Sequence, residues 1–208
     1  MGDRAGSPAC DGSIPVSSKS RGHVQSLSRR IGGVVAVVAC AVLAGAGATM
    51  PDGRPTPTGL DVPRWVSLKS SPVRARQGPG MDYRILWEYR AAGLPVQVIA
   101  ETREWRKICD PEHGVAWIKR SVASGRRGAF NASDAEVAVH AARNARSPVR
   151  ARFSARSVVA LDECKDGWCR VRAQKIKGWL PEGSVFGTQA MAQCDARRGA
   201  GEAGWRAG

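Results

Sequence analysis

Four arrangements of residues have types and spacings that could do chemistry. Cys109, with His113 four positions on and His140 far downstream, has the residue types of a thiol nucleophile and its base, but no orienting acid and no surrounding motif accompany them. Taken as metal ligands, Cys109 and His113 are two short of a zinc site. Asp110 and Glu112 share strand parity, yet they flank Pro111 in a turn before Gly114, whereas a glycosidase holds its carboxylates across a cleft. Cys164 and Cys169 bracket Asp166-Gly167, a spacing for a cross-link rather than for catalysis. The fourth arrangement is a binding pattern. Strand alternation puts Trp105 and Lys107 on the face opposite Ile108, and Trp168, Arg170 and Arg172 on the face opposite Val171. With Ile108 and Val171 turned inward, each Trp lies on an open cationic face, suited to stacking on sugar or peptide groups while Lys and Arg hold carboxylates. The competing reading has Trp105 and Trp168 half-buried against a neighbouring loop, capping a small core. These residues point to a non-catalytic chain with no cofactor and no metal.

The elements that must position these residues are small. The chain has 208 residues, 32 Lys and Arg against 18 Asp and Glu for a formal charge of +14, and 43% hydrophobic residues, which allows one or two small domains. Gly 24 and Pro 12 together stay below the roughly 25–30% that marks low-complexity disorder. Ile31 to Ala48 is an apolar run preceded by Arg29 and Arg30 and closed by Ala46, Gly47 and Ala48, which is signal-peptide order. Residues 1–48 are therefore expected to be removed after Ala48, and the protein to be periplasmic or secreted; an uncleaved segment would be its only tie to the membrane. Without them the charge is +11, five basic and two acidic residues leaving together. Nucleic acid is not an expected partner of an exported chain, despite the basic run Arg120 to Arg127. Export also places Cys109, Cys164, Cys169 and Cys194 where disulfides persist.

Two segments align on each other. Trp105-Arg-Lys-Ile108 answers to Trp168-Cys-Arg-Val171 at an offset of 63, and Ala116-Trp117-Ile118 answers to Gly178-Trp179-Leu180 at an offset of 62. Short β-branched or aromatic runs bounded by Gly, Pro and Asp make both units β. Asp166-Gly167 predicts a two-residue hairpin in which Lys165 pairs with Trp168 and Cys164 faces Cys169 at a close-approach pair, so a Cys164–Cys169 disulfide is expected. The same offset puts Glu101 and Arg106 at those places in the first unit, an exposed cross-strand ion pair by this reading. Cys109 and Cys194 either pair or remain free thiols.

The first unit, with Val73-Arg-Ala-Arg76-Gln-Gly78-Pro79-Gly80-Met-Asp82-Tyr83, Ala92-Gly93-Leu94-Pro95-Val96, Trp105-Arg-Lys-Ile108 and Ala116-Trp117-Ile118, resembles the bacterial SH3-like domain. The second resembles it through Cys-x-x-Gly-x-Cys at 164 to 169 and Gly178-Trp179-Leu180, with an Arg-rich stretch (Arg143, Arg146, Arg150, Arg152, Arg156) in place of Gly-Pro-Gly. The resemblance implies an all-β chain of two small SH3-like barrels in tandem. Taken with the leader and the compositional shifts along the chain, the expected layout is residues 1–48 a signal peptide, 49–63 a Pro-rich linker, 64–125 the first domain, 126–133 a linker, 134–190 a divergent second domain, and 191–208 a disordered tail. The resemblance also implies a module that binds cell-wall peptidoglycan or a periplasmic protein or peptide, the alternative being an adaptor in an envelope complex. The candidate ligand residues are Tyr83, Trp105, Lys107, Trp168, Arg170 and Arg76, the last with an alternative role in pinning its loop, while Trp117 and Trp179 are expected in the cores.

Overall fold

The computed structural model describes residues 48–202; the expected leader lies, apart from Ala48, outside the described residues. Among these residues there is no α-helix, and no helix long and apolar enough to cross a membrane. The strands are β1 (Arg64–Leu68), β2 (Val73–Arg76), β3 (Ile85–Tyr89), β4 (Pro95–Glu101), β5 (Trp105–Cys109), β6 (Val115–Lys119), β7 (Ala123–Ser124), β8 (Gly128–Phe130), β9 (Val137–His140), β10 (Val149–Phe153), β11 (Val158–Lys165), β12 (Trp168–Ala173) and β13 (Ile176–Pro181). They form two antiparallel sheets, ordered β3-β2-β6-β5-β4-β1-β7 and β10-β9-β13-β12-β11-β8.

Six strands of the first sheet recur in the same order in the second, β7 being the one described strand without a counterpart. Each sheet has a three-stranded meander, β4-β5-β6 or β11-β12-β13, whose last strand meets the first strand of a hairpin, Arg76 beside Trp117 and His140 beside Trp179. Each meander bends at a bulge whose extra residue is Ile99 in β4 and Asp162 in β11, again 63 residues apart. Inward residues match by position: Val98 and Leu161, Ile108 and Val171, Ile118 and Leu180 are all buried. One facing pair trades volume. The first core has Ala75 and Ala116 where the second has Val139 and Gly178, and a Cβ on Gly178 would stand 2.6 Å from Val139 Cγ1. The expected linker at 126–133 contains β8, the second sheet's counterpart of β1, because Gly128, Ala129 and Phe130 find ladder partners on β11.

The turn between β11 and β12 has Asp166 at φ 53° and Gly167 at φ 74°, the two positive values that a type I′ turn needs. Its register pairs Lys165 with Trp168 and Cys164 with Cys169, and the two cysteines are bonded. The corresponding pair in the first barrel differs from the sequence expectation. Glu101 and Arg106 are buried, not exposed, with 3.1 Å between Glu101 Oε2 and Arg106 Nε, and Arg64 and Thr58 complete the carboxylate's partners. Burial alone would raise the Glu101 pKa, but Arg64, Thr58 and Arg106 outweigh it and hold the carboxyl below its ordinary range.

The barrels meet at a close junction. Trp65 stacks edge-on against Phe186 at 4.8 Å and donates from Nε1 to Gln189 O at 2.7 Å, while Phe130 and Val158 pack against the first core. Gly128 is required there, since a Cβ would come 2.4 Å from Gly93 O.

Residues 191–202, expected to be disordered, instead lie along the outer face of β4, β5 and β6. Cys194 is bonded to Cys109 across 85 residues, and Cys194 and Ala196 pack on Ile99, Cys109 and Val115. Gln97 Nε2 donates to Met191 O at 2.9 Å, Gln97 Oε1 accepts from Gln193 N at 2.7 Å, and Gly201 N donates to Val115 O at 2.8 Å. The Gly, Ala and Arg composition suggested a solvated tail. It missed the apolar face that this segment covers.

Candidate functional site

The open counterpart of that covered face is on the second barrel. On β12 and β13, Arg170 pairs across the ladder with Trp179, and Arg172 with Lys177, so these four side chains share one outer face with Trp168. Trp168, Arg170 and Trp179 are half-buried, while Arg172 and Lys177 are exposed. The guanidinium carbons of Arg143 and Arg170 stand 5.3 and 5.8 Å from the Trp179 ring centroid, within cation–π range. Arg143 is tied to Asp166 at 2.6 Å, and Arg170 to Glu163 at 3.5 Å. Arg172 meets Asp162 at 3.1 Å. Trp168 is set edge-on against the His140 ring at 5.6 Å.

His140 explains how the arginine-rich loop keeps its shape without Gly-Pro-Gly. In the first barrel, Gln77 N bonds Arg84 O to close the loop, and buried Arg76 donates from Nη1 to Met81 O and Tyr83 O, both at 2.8 Å. In the second, Ala141 N bonds Pro148 O to close a loop of the same length, and His140 Nδ1 lies 3.1 Å from Ser147 O. Arg76 and His140 thus do the same job. Freed of that task, Arg143 reaches out of the loop to Trp179.

Of the residues picked from sequence, the structure brings Trp168 and Arg170 together and adds Trp179, which had been assigned to the core. Alternation is the reason: Gly178 and Leu180 are the buried neighbours, so Trp179 faces out, and likewise Trp117 lies outward between buried Ala116 and Ile118. Trp105 is buried at 8% exposure, so it offers no open ring. Lys107 is half-buried, its Nζ donates to Ala196 O at 2.6 Å, and burial lowers its pKa despite Asp195 and Glu202 nearby. Arg76 takes the loop-pinning role. Tyr83 is 49% exposed with its ring laid across Gly78 and Gly80, apart from the second barrel's face. Arg143, Arg172, Lys177 and Trp179 were missed as a group, although parity with Trp168 had already placed Arg172.

The other arrangements are accounted for structurally. Cys109, His113 and Cys194 come together, as do Cys164, Cys169 and Glu182, but in both groups the sulfurs are bonded to each other and supply no thiolate. Asp110 is buried and accepts from Tyr89 Oη at 2.9 Å and from Gly114 N at 2.7 Å; burial raises its pKa against those bonds.

The family profile for the bacterial SH3 domain matches the chain twice, over residues 69–125 and 133–187. No curated protein matches it. Among solved structures, it is similar to NlpC2 from Trichomonas vaginalis (TM-score 0.28, 14% identity, 60% of this chain and 48% of that one). It is similar also to NlpC1 from Trichomonas vaginalis (TM-score 0.28, 13% identity, 61% of this chain and 46% of that one). The chain spans about half the length of those two proteins.

Proposed function

Since this chain belongs to the bacterial SH3 domain family and carries two copies of the domain, we propose that it is a non-catalytic binding protein of the cell envelope. Its ligand is cell-wall peptidoglycan or a peptide, taken on the outer face of the second barrel. The observation that carries this reading is the Trp179 indole flanked by Arg143 and Arg170 beside a half-open Trp168. An indole face offers stacking area to a sugar ring or a peptide plane, and two guanidiniums at its rim can each donate a pair of hydrogen bonds to a carboxylate. Bacterial SH3 domains generally bind peptidoglycan or proteins, which fits this face. An extracytoplasmic location fits the two disulfides, since such bonds persist in oxidising compartments. The non-catalytic part of the reading is supported by Cys109, the thiol weighed as a nucleophile, being bonded to Cys194.

Co-sedimentation with isolated sacculi at about 0.15 M and 1 M salt tests it, the Debye length falling from about 8 to 3 Å. Binding that survives 1 M salt and is lost in Trp179→Ala is the expected result. No binding, or binding abolished by salt and indifferent to Trp179, would turn the assignment to a protein partner in an envelope complex.

A further inference from the structure

The two outer faces share a plan, but one is already occupied. Lys107 stands where Arg170 does and Trp117 where Trp179 does, each pair directly opposed across the ladder. On the first barrel a stretch of backbone from the chain's own C-terminal segment runs over this face. The face meets it as it would a peptide ligand. Lys107 Nζ and Gln97 Nε2 donate to the carbonyls of Ala196 and Met191, Gln97 Oε1 accepts from Gln193 N, and Val115 O accepts from Gly201 N. All four bonds go to the segment's main chain, three of them from the side chains of Lys107 and Gln97, so the face takes hold of peptide backbone in a chain of bends and turns. One covalent bond holds the segment there, Cys109–Cys194. A pocket of about 350 Å³ opens beside it, lined by Pro51, Pro63, Ile99, Ala192, Cys194 and Ala196 together with Asp195 and Arg197.

We propose that the outer face of the first barrel is a second binding surface for peptide, latched shut by residues 191–202, and that reduction of Cys109–Cys194 opens it to a peptide of the same kind from another molecule. The reductant is a dithiol. One of its thiolates attacks Cys194 Sγ from the pocket side, Cys109 leaves as a thiolate and takes a proton, and the second reductant thiol displaces Cys194. Two cysteine thiols and one oxidised dithiol result. Cys194, buried at 6% exposure but lining the pocket, is the less enclosed sulfur, since Cys109 is fully buried. After reduction the segment remains tethered at Gln189, so an incoming peptide competes with it as with an intramolecular ligand. The proposal stands whether or not the second barrel binds sacculi, because its occupant is a segment of this chain.

The test uses the full chain as oxidised wild type, as reduced wild type and as Cys194→Ser, which leaves Cys164–Cys169 intact. Amide hydrogen exchange is read by residue, and a fluorescent peptide of residues 188–202 with Ser at 194 is titrated in. In the oxidised wild type, the Gln193 and Gly201 amides should exchange slowly and the peptide should not bind. In the other two samples, those amides should exchange at least about tenfold faster while Ile108 and Ala116 stay protected, and the peptide should bind. Unchanged protection at Gln193 and Gly201 overturns the proposal. So does loss of protection throughout β4 to β6, which would make the cross-link a support of the barrel itself. Release without binding of the peptide overturns it as well.

Discussion

The outer faces of the two barrels differ at Gln97, whose counterpart is Ala160, and at three further equivalent positions whose polarity bears on which face is open. Ile99, Cys109 and Val115 in the first barrel correspond to Asp162, Arg172 and Lys177 in the second. The apolar set is buried under Cys194 and Ala196, while Arg172 and Lys177 stay in solvent with Arg172 on Asp162. Covering the charged set would strip water from ions without replacing it, at a cost of several kcal/mol per unpaired ion. Covering the apolar set returns roughly 25 cal/mol for each Å² removed from water. One fold therefore carries a closed face and an open one, with the Lys or Arg and the Trp common to both.

The comparison extends to what holds each barrel end, and the strongest way to break it is to remove the cross-links separately. By the chain-entropy estimate a loop of 85 residues gives about 4.5 kcal/mol and one of 5 residues about 2 kcal/mol. Cys109→Ser with Cys194→Ser should lower the unfolding free energy in urea by about twice as much as Cys164→Ser with Cys169→Ser. Equal losses would mean that the docked segment contributes nothing beyond a local staple.

Glu101→Gln should cost about 3–5 kcal/mol, because it leaves Arg106 and Arg64 facing each other without their carboxylate. The sign with pH follows from the lowered Glu101 pKa. The stabilisation is complete above the unfolded carboxyl range, about 4.3, and disappears as pH falls through the lower folded value. The gap between wild type and Glu101→Gln in urea denaturation should therefore narrow on acidification, and a gap independent of pH would deny the charged network its role.

Gly178→Ala places a Cβ 2.6 Å from Val139 Cγ1 and 2.7 Å from His140 O. It should destabilise by about 1–3 kcal/mol, and Val139→Ala should restore part of that by recreating the first barrel's Ala75 and Ala116. Thermal melts of the two single variants and the double variant read the coupling; strict additivity would break the volume exchange between the cores.

The smallest effect is expected at the open face. Trp179→Ala should weaken sacculus or peptide binding by about 1–2 kcal/mol, roughly tenfold, with no change in melting temperature, while Trp117→Ala should leave binding unchanged. Equal losses from both would show that the two faces are not divided in this way.

Much of this was legible along the chain. The repeat, the turn at Asp166-Gly167 and the facing of Cys164 and Cys169 are local, set by turn chemistry and by a side-chain period of two. Parity also contained the outward direction of Trp117 and Trp179, because their neighbours alternate with the cores; the expectation that these tryptophans are core residues in such sheets pointed the other way. The burial of Glu101 and Arg106 was not legible, since it depends on Arg64 from β1 and Thr58 from the preceding segment closing over them.

By itself, the sequence determined two β-barrels of one plan, the register of their hairpins and the pairing of the short disulfide, all of which depend on interactions a few residues apart. Tertiary structure alone decided which face is exposed. That choice depends on Cys194, 85 residues beyond Cys109, returning to an apolar patch that only three adjoining strands create. Loop closure over that distance has no local signature, and its free energy comes from surfaces that exist only once the first barrel has formed.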